Sequence, residues 1–260
     1  MTSKTRLRII ITGASSGIGA ALAEALEQDG HQVIRLSRRQ GCDVSKWGDL
    51  EREAKRVEAL HCSLDALICC AGIQGEIQPT LESDPAQWQA TVETNLLGTY
   101  HSIRSFGALL KRAERRAKVV CLSGGGATNA RPGFSAYAAS KTGVVRLVET
   151  VAAETQGTPL DINAIAPGAI PTAMTEAILA AGPQRSGPKE YEVALALKKH
   201  GTNALERTIA LTRWLLSPAS DGISGRLISA LWDPWERLSP VSFEQKDLYT
   251  LRRVLPAGQP

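Results

Sequence analysis

Tyr137 and Lys141 are the residues whose types and spacing could transfer a proton. They lie four positions apart in Y-A-A-S-K, and on a helix this spacing places both side chains on one face. An unperturbed tyrosine, with a pKa of about 10, is a poor acid–base catalyst at neutral pH. A nearby ammonium group stabilises the phenolate and lowers that pKa. The same spacing also occurs in ordinary surface pairs, so the interpretation depends on the other motifs.

A glycine-rich segment near the start of the chain predicts a phosphate-binding loop. Residues 11–19 read I-T-G-A-S-S-G-I-G, between an apolar run and a helical pattern. Gly13 would allow a tight turn, Gly17 would let the backbone approach a pyrophosphate, and Gly19 would let the helix pack closely on the strand. Free amides at the helix N-terminus would face the anion, which adds Ser15, Ser16 and Ile18 as candidates. A plain strand–turn–helix of small residues is the alternative.

The end of the next predicted strand indicates which dinucleotide the loop would bind. Ser37 is followed by Arg38 and Arg39, without an acidic residue. An acid at this place would bind the ribose 2′-hydroxyl of NAD, whereas arginine pairs well with the 2′-phosphate of NADP. NADP(H) is therefore favoured over NAD(H). An exposed arginine pair without a ligand is the simpler alternative.

The elements that must position these residues alternate between short β-branched runs and helical stretches. This order predicts an α/β fold, a Rossmann-type doubly wound parallel β-sheet flanked by helices on both faces, in a single domain over residues 1–260. Strands are expected over 8–12, 32–36, 64–70, 118–123, 161–166 and 225–230, and helices over 18–29, 50–60, 85–111, 137–154 and 203–216. Residues 173–200 form a helical lid with a loop at 182–188, and residues 231–260 form a tail.

Composition excludes several function classes. The 260 residues carry a net charge of +4 without a basic stripe, which argues against nucleic-acid binding. No apolar stretch reaches about 18 residues, so no membrane span is expected. Five cysteines, without metal-ligand spacing, indicate reduced thiols in a cytoplasmic protein and no metal site.

These motifs occur in an order that resembles the short-chain dehydrogenase/reductase family, in its compact single-domain group. The resemblance runs from residue 8 to residue 230. Beyond the glycine loop and the Tyr–Lys pair it includes Asp43 in C-D-V, Asn95 in T-N-L-L-G and Asn163 in I-N-A-I-A-P-G. It also includes P-G-x-x-x-T at residues 167–172.

The resemblance implies hydride transfer between a nicotinamide cofactor and a small-molecule carbonyl or secondary alcohol, such as a sugar, a polyol or a 3-oxoacyl compound. Tyr137 would be the general acid–base, and Lys141 would hold the nicotinamide ribose and lower the tyrosine pKa. Asn95 would anchor a water of the proton relay through its place in a kinked helix. Other cofactor contacts would be Asp43 and Val44 near the adenine, the Ala71–Gly72 turn at its ribose, and Pro167, Gly168, Ile170 and Thr172 at the nicotinamide. Members of the family are usually homodimers or homotetramers.

Two positions depart from the family pattern. The serine that holds the substrate oxygen usually stands thirteen residues before the tyrosine, where this chain has Gly124; the nearest serine is Ser123. The first hypothesis is that a shifted loop presents Ser123, which then polarises the substrate oxygen. The second is that the amides of residues 124–126 serve as oxyanion donors, and the third is that catalysis is impaired and the protein is a cofactor-binding regulator. Cys70 replaces the asparagine common before A-G, and Cys69 and Cys70 are interpreted as apolar fillers rather than a redox pair.

Cations near the expected substrate region leave the substrate class open. They indicate an anionic substrate or, more simply, scattered charges on a solvated lid; they are Arg131, Arg185, Lys189, Lys198, Lys199 and His200.

Overall fold

Six parallel strands form the sheet at the centre of the computed structural model, which describes residues 6–243 and 247–253. The strands pair in the order β2-β1-β3-β4-β5-β6. The four inner strands, β1, β3, β4 and β5, are almost fully buried, as is typical of parallel strands covered on both faces, whereas the edge strands β2 and β6 are mostly half-buried. The strands are β1 (Arg8–Thr12), β2 (Gln32–Leu36), β3 (Ala66–Cys69), β4 (Ala117–Leu122), β5 (Leu160–Ala166) and β6 (Leu227–Ser229).

Helices cover both faces of the sheet, which confirms the predicted α/β fold class. Leu22 of the first helix and Leu211 of the last pack on Ile9 and Ile11. Phe106 and Val145 belong to the apolar cluster on the opposite face. The helices are α1 (Gly17–Gln28), α2 (Trp47–Leu60), α3 (Pro85–Val92), α4 (Gly98–Lys111), α5 (Ser135–Glu154), α6 (Ala173–Ser186), α7 (Pro188–His200) and α8 (Ala204–Leu215). No helix in the described part of the chain is long and apolar enough to span a membrane.

Strand order reverses at β1, because the chain passes to β2 on one side of it and to β3 on the other. In open α/β sheets, ligands bind beyond the carboxyl ends of the strands at such a reversal. Three loops meet at this place, those that follow β1, β3 and β4. These loops carry the glycine motif, the Ala71–Gly72 turn and the S-G-G-G segment.

Several boundaries differ from the sequence-based expectation. The strand expected over 64–70 is limited to Ala66–Cys69, because the amide of Cys70 turns to the hydroxyl of Thr12. The loop expected at 182–188 is mostly helical and is reduced to two glycines with positive φ, Gly182 at 73° and Gly187 at 81°. The last strand spans only Leu227–Ser229. In the expected tail, residues 244–246 and 254–260 lie outside the described residues.

Candidate active site

Three glycines shape the loop between β1 and α1. Gly13 has a φ of +69°, and a Cβ on it would lie 2.6 Å from the Cα of Ala71. A Cβ on Gly19 would lie 2.4 Å from the carbonyl oxygen of Gly13. Gly17 has a φ of +53°, and the nearest atom to its Cβ position is the Cγ2 of Thr172, at 3.8 Å. Gly13 and Gly19 therefore permit contacts inside the protein, whereas Gly17 borders open space.

The N-terminus of α1 offers free amides next to that space. Ser16 precedes the helix and makes no side-chain cap, and Ala20 is the residue whose amide returns to the carbonyl of Ser16, at 3.2 Å. The amides of residues 17–19 therefore lack an intrahelical partner. Ser16 is exposed, and Ser15 and Ile18 are half-buried. Free amides beside an open space fit the pyrophosphate of a dinucleotide.

Beyond β2, two cations are available to a ligand. Arg38 and Arg39 are exposed, and neither forms an ion pair or a side-chain hydrogen bond within the described residues. The hydroxyl of Ser37 is engaged, because it donates to the Oε1 of Gln40 at 2.6 Å. Arg38 and Arg39, rather than Ser37, are therefore free to bind a 2′-phosphate on the ribose of a dinucleotide.

Asp43 and Val44 form a turn that is fixed on both sides. The Oδ1 of Asp43 accepts from the amide of Ser45 at 3.0 Å and from its hydroxyl at 2.8 Å. Val44 is buried, and a Cβ on Gly98 would lie 2.5 Å from its Cγ2. The carbonyl of Val44 lies 2.9 Å from the Nδ1 of His101. The turn is thus anchored on α4, with the carboxylate of Asp43 half-buried.

The Ala71–Gly72 turn joins the glycine loop to the predicted catalytic residues. The hydroxyl of Thr12 accepts from the amide of Ala71 at 3.3 Å. On the other side, a Cβ on Gly72 would lie 3.2 Å from the Oδ1 of Asn95 and 3.4 Å from the Nζ of Lys141. The candidate cofactor and proton-transfer residues are therefore neighbours.

Asn95 lies in a π-helical turn, Glu93–Leu97, between α3 and α4. Such turns are frequent at functional sites. Its Oδ1 accepts from the amide of Ile73 at 2.8 Å, and its Nδ2 donates to the carbonyl of Ile73 at 2.9 Å and to the hydroxyl of Ser140 at 3.0 Å. The Ser140 hydroxyl donates to the carbonyl of Tyr137 at 2.8 Å. Asn95 thus fastens the loop after β3 to the catalytic helix.

Tyr137 and Lys141 lie on one face of α5, and both side chains are buried. The Nζ of Lys141 donates to the carbonyl of Leu122 at 2.8 Å and lies 5.8 Å from the centre of the Tyr137 ring. A Cβ on Gly124 would lie 2.5 Å from the hydroxyl oxygen of Tyr137. The tyrosine hydroxyl therefore rests against the turn that follows β4.

Burial dominates the ionisation of this pair. It lowers the pKa of Lys141 from 10.5 to about 8. It also raises the pKa of Tyr137, against the guanidinium of Arg131, which lowers it. The expectation from the sequence that Lys141 would lower the tyrosine pKa stays a prediction, and in this structure the net shift of that pKa is upward. The pKa rises because desolvation of the phenolate, together with the nearby carboxylate of Glu190, outweighs the attraction of Arg131.

Ser123 faces α5 in this structure. It is buried, and its hydroxyl donates to the main-chain oxygen of Lys141 at 3.3 Å. The amide of Gly126 is bound to the carbonyl of Gly124 at 3.0 Å. The amides of Gly124 and Gly125 have no hydrogen-bond partner among the described residues. These two amides are therefore uncommitted donors, and the Cβ position of Gly124 borders the hydroxyl of Tyr137.

The segment that follows β5 closes the site on the lid side, and it contains Pro167, Gly168, Ile170 and Thr172. Gly168 has a φ of +83°, and a Cβ there would lie 2.5 Å from the Cδ1 of Leu231. Ile170 is buried, and the hydroxyl of Thr172 caps α6. The methyl group of Thr172 is the nearest neighbour of Gly17 described above, so this segment faces the phosphate loop.

Asn163 and the paired cysteines serve the packing of the sheet. The side-chain Nδ2 of Asn163 donates to the carbonyl of Ile223 at 2.7 Å, which connects β5 to the chain before β6. Cys69 lies opposite Cys121 in the adjacent strand. The hydrogen bond to Cys121 and burial raise the pKa of Cys69, and burial raises the pKa of Cys70 to about 12. Buried, protonated thiols are consistent with apolar fillers.

Two contacts at the site were not predicted. Ser140 connects Asn95 to α5, and its position three residues after Tyr137 could have indicated a shared helix face. The ion pair between Arg131 and Glu190, with Nη2 to Oε2 at 2.8 Å, joins residues 59 positions apart. No local sequence pattern indicates such a pair.

Comparison with known proteins places this architecture among nucleotide-dependent enzymes. The family model described as enoyl-(acyl carrier protein) reductase matches residues 36–230. A short-chain dehydrogenase of Monascus purpureus is 28% identical over 89% of this chain and 82% of its own length. Galactitol 2-dehydrogenase (L-tagatose-forming) of Cereibacter sphaeroides is 28% identical over 84% of this chain and 91% of its own. A short-chain dehydrogenase structure from Shigella flexneri, complexed with NADP, has a TM-score of 0.72 and 26% identity, covering 86% of this chain and 97% of that one.

Proposed function

The chain belongs to the short-chain dehydrogenase/reductase family of oxidoreductases, and from this premise we propose that it interconverts a carbonyl compound and a secondary alcohol with NADP(H). The observation that carries the proposal is the buried Tyr137–Lys141 pair, with the tyrosine hydroxyl against Gly124 at the carboxyl end of β4. A bound nicotinamide dinucleotide would supply or accept the hydride. The residues around the phosphate loop fit such a group.

Tyr137 is the proton donor in the direction of reduction. As the carbonyl carbon gains a hydride, its oxygen gains negative charge and takes the phenolic proton, which leaves a phenolate and the alcohol. Because burial raises the pKa of Tyr137, the phenol keeps its proton at neutral pH. The protonated phenol is the form that can donate to the oxygen of a carbonyl that is being reduced.

Lys141 returns a proton to Tyr137, and Asn95 holds Tyr137 in position. The Lys141 pKa of about 8 keeps the ammonium largely charged at pH 7. An ammonium beside the new phenolate stabilises it and can return a proton by way of water. Asn95, through Ser140, fixes the turn of α5 that carries Tyr137. Anchoring of a relay water by Asn95 remains part of the proposal.

The substrate oxygen would be held by main-chain amides. Gly124 and Gly125 offer uncommitted N–H groups in the turn that borders the tyrosine hydroxyl at Gly124, and such donors stabilise a developing oxyanion strongly. Ser123 would need to leave the carbonyl of Lys141 to take this role. We therefore rank the glycine amides ahead of Ser123 as the oxyanion donors.

Arg38 and Arg39 support NADP(H) over NAD(H). Both guanidinium groups are exposed and unpaired within the described residues, beyond the end of β2. Pairing with a 2′-phosphate would satisfy them, whereas a 2′-hydroxyl would not. Further cofactor contacts in the proposal are Asp43 and Val44, the Ala71–Gly72 turn, and the 167–172 segment.

Cofactor choice is tested by titration calorimetry with NADPH and NADH. We expect NADPH to bind at least tenfold more tightly, about 1.4 kcal/mol, and Arg38→Ala to reduce this preference. Arg104→Ala, an exposed arginine on α4, serves as the control and should leave the preference unchanged. Equal affinity for the two cofactors in the wild-type protein would contradict the NADP(H) assignment. Tight binding of NADPH without turnover of any carbonyl compound would favour the alternative of a cofactor-binding regulator, which the glycine at position 124 suggests.

We also propose a homodimer or homotetramer in the cytoplasm. Leu97 and Tyr100 are exposed large apolar side chains near the start of α4, at 41% and 45%. Burial of these side chains between subunits would be favourable. Light scattering of the purified protein at several concentrations measures the oligomeric state, and a monomer at every concentration would contradict this assignment.

A further inference from the structure

A cleft of about 680 Å³ lies between the loop after β4 and the junction of α6 and α7. It is separate from the phosphate loop and shares Gly125 with the turn beside Tyr137. Its charged lining residues are Arg131, Lys189 and Glu190. The proton-transfer mechanism uses none of these three side chains, so their function in the cleft is unassigned.

Arg131 is held rigidly in the wall of this cleft. Its guanidinium lies over the ring of Phe134, with Cζ 3.9 Å from the ring centre, and 5.4 Å from the centre of the Tyr137 ring. Its Cδ would lie 3.7 Å from a Cβ on Gly126. The side chain is only 15% exposed. A planar guanidinium fixed in this way is preorganised for a planar anion.

Glu190 forms an ion pair with Arg131 in this structure. The Nε of Arg131 donates to Oε1 at 3.0 Å and its Nη2 donates to Oε2 at 2.8 Å, which is a two-point carboxylate contact. Glu190 lies in the first turn of α7, just after Gly187. Its side chain is 32% exposed, so the carboxylate already borders water. The Nη1 of Arg131 has no partner within the described residues.

We propose that Arg131 binds the carboxylate of a carbonyl substrate, and that Glu190 takes the place of this carboxylate when the cleft is empty. The inference rests on the proposed carbonyl reduction and names its substrate class, a carbonyl compound bearing a carboxylate. Arg131 would exchange its two hydrogen bonds to the Glu190 carboxylate for two to the substrate carboxylate, so it would keep an ion pair in both states. Lys189, exposed on the same wall, adds attraction for an incoming anion.

The position of Arg131 accounts for the choice of substrate. Its guanidinium lies 5.4 Å from the centre of the Tyr137 ring, so a molecule whose carboxylate binds there begins close to the tyrosine. The carbonyl to be reduced can then reach the hydroxyl from the same cleft. A neutral carbonyl compound would lack this contact and would leave Arg131 with Glu190.

The test compares acids with their methyl esters. Reduction of acetoacetate, 4-oxopentanoate and 5-oxohexanoate, and of the three esters, is measured with NADPH for the wild-type protein and for Arg131→Gln, Glu190→Gln and the double variant. The readout is the ratio of kcat/KM for each acid to that for its ester. The ratio cancels general effects of a variant on turnover. Lys198→Gln, which removes an exposed ion pair to Glu176 on the same lid, is the control.

We expect Arg131→Gln to lower the acid-to-ester ratio about tenfold or more, as loss of a charge-assisted two-point contact implies. Glu190→Gln should raise the ratio, because the competing carboxylate is gone, and the double variant should behave like Arg131→Gln. A ratio that stays within twofold of the wild-type value in both single variants would overturn the proposal and leave the pair as a structural link.

A binding measurement separates this inference from the proposed function. Calorimetry with 5-oxohexanoate should show tighter binding to Glu190→Gln and loss of binding to Arg131→Gln. If no carbonyl compound is reduced but this binding pattern is found, the carboxylate site stands and the proposed reaction fails. If esters are reduced and 5-oxohexanoate does not bind, the reaction stands and the carboxylate site is refuted.

Discussion

Replacement of Lys141 by methionine should stabilise the folded protein at neutral pH while it abolishes turnover. The Lys141 pKa of about 8 in place of 10.5 corresponds to about 3 kcal/mol, at roughly 1.4 kcal/mol per tenfold change. Loss of the hydrogen bond to the carbonyl of Leu122 offsets about 1 kcal/mol of this. The expected net gain in the free energy of unfolding at pH 7 is about 2 kcal/mol.

The sign of this effect should reverse with pH. Between pH 8 and 10.5 the unfolded lysine keeps a proton that the folded one has released, so the unfolded state binds more protons and wild-type stability rises with pH. Once both states are neutral, only the lost hydrogen bond remains. Lys141→Met should therefore be more stable than the wild-type protein at pH 7 and less stable near pH 10.5.

Urea unfolding at several pH values from 7 to 10.5, under reducing conditions, measures this difference. In the unfolded chain the cysteine and tyrosine side chains also titrate in this range, and they do so in both proteins. Lys55→Met, at an exposed position on α2, should show a small difference that does not depend on pH. A Lys141→Met difference that is constant from pH 7 to 10.5 would refute the argument from burial.

Three further predictions concern the same site. Gly124→Ser, which restores the usual family residue, should reduce both stability and turnover, because its Cβ would lie 2.5 Å from the catalytic hydroxyl; unfolding and steady-state assays measure this. Gly19→Ala should weaken NADPH binding at least tenfold, since its Cβ would lie 2.4 Å from a carbonyl oxygen of the phosphate loop; calorimetry measures the affinity. Alcohol oxidation should accelerate with pH to beyond pH 10, because burial raises the pKa of Tyr137 and only the phenolate accepts the proton; initial rates with NADP⁺ measure this.

Each of these has a matched control and a contradicting result. Gly125→Ala and Gly48→Ala place a Cβ where no atom lies within 4 Å, and both should be tolerated. Wild-type activity in Gly124→Ser, or unchanged NADPH affinity in Gly19→Ala, would contradict the close contacts on which those predictions depend. An oxidation rate that levels off below pH 8 would mean that the tyrosine pKa is lowered rather than raised.

The sequence was sufficient for the sheet and for the shape of the glycine-rich loop after β1, because both depend on local patterns. Apolar runs between helical stretches predicted all six strands, and the roles of Gly13 and Gly19 follow from motif spacing and were found in the close contacts. The kinked helix around Asn95 was expected from the resemblance, and it is a π-helical turn in the structure.

Long-range contacts and burial could not be predicted in this way. The direction of the Tyr137 pKa depends on how deeply the ring is buried, which no spacing reveals. The orientation of Ser123 toward the carbonyl of Lys141 depends on the path of the loop after β4. The pairing of Arg131 with Glu190 needs the lid to fold back over that loop. In each case tertiary packing decides the chemistry.

The most direct test of the account is carbonyl-dependent oxidation of NADPH by Tyr137→Phe, with Tyr100→Phe, at an exposed position on α4, as the control. The account predicts that Tyr137→Phe loses turnover by at least about 10²-fold, while its affinity for NADPH stays close to that of the wild-type protein, and that Tyr100→Phe keeps both. Turnover by Tyr137→Phe at the wild-type rate would contradict the central claim that this tyrosine transfers the proton.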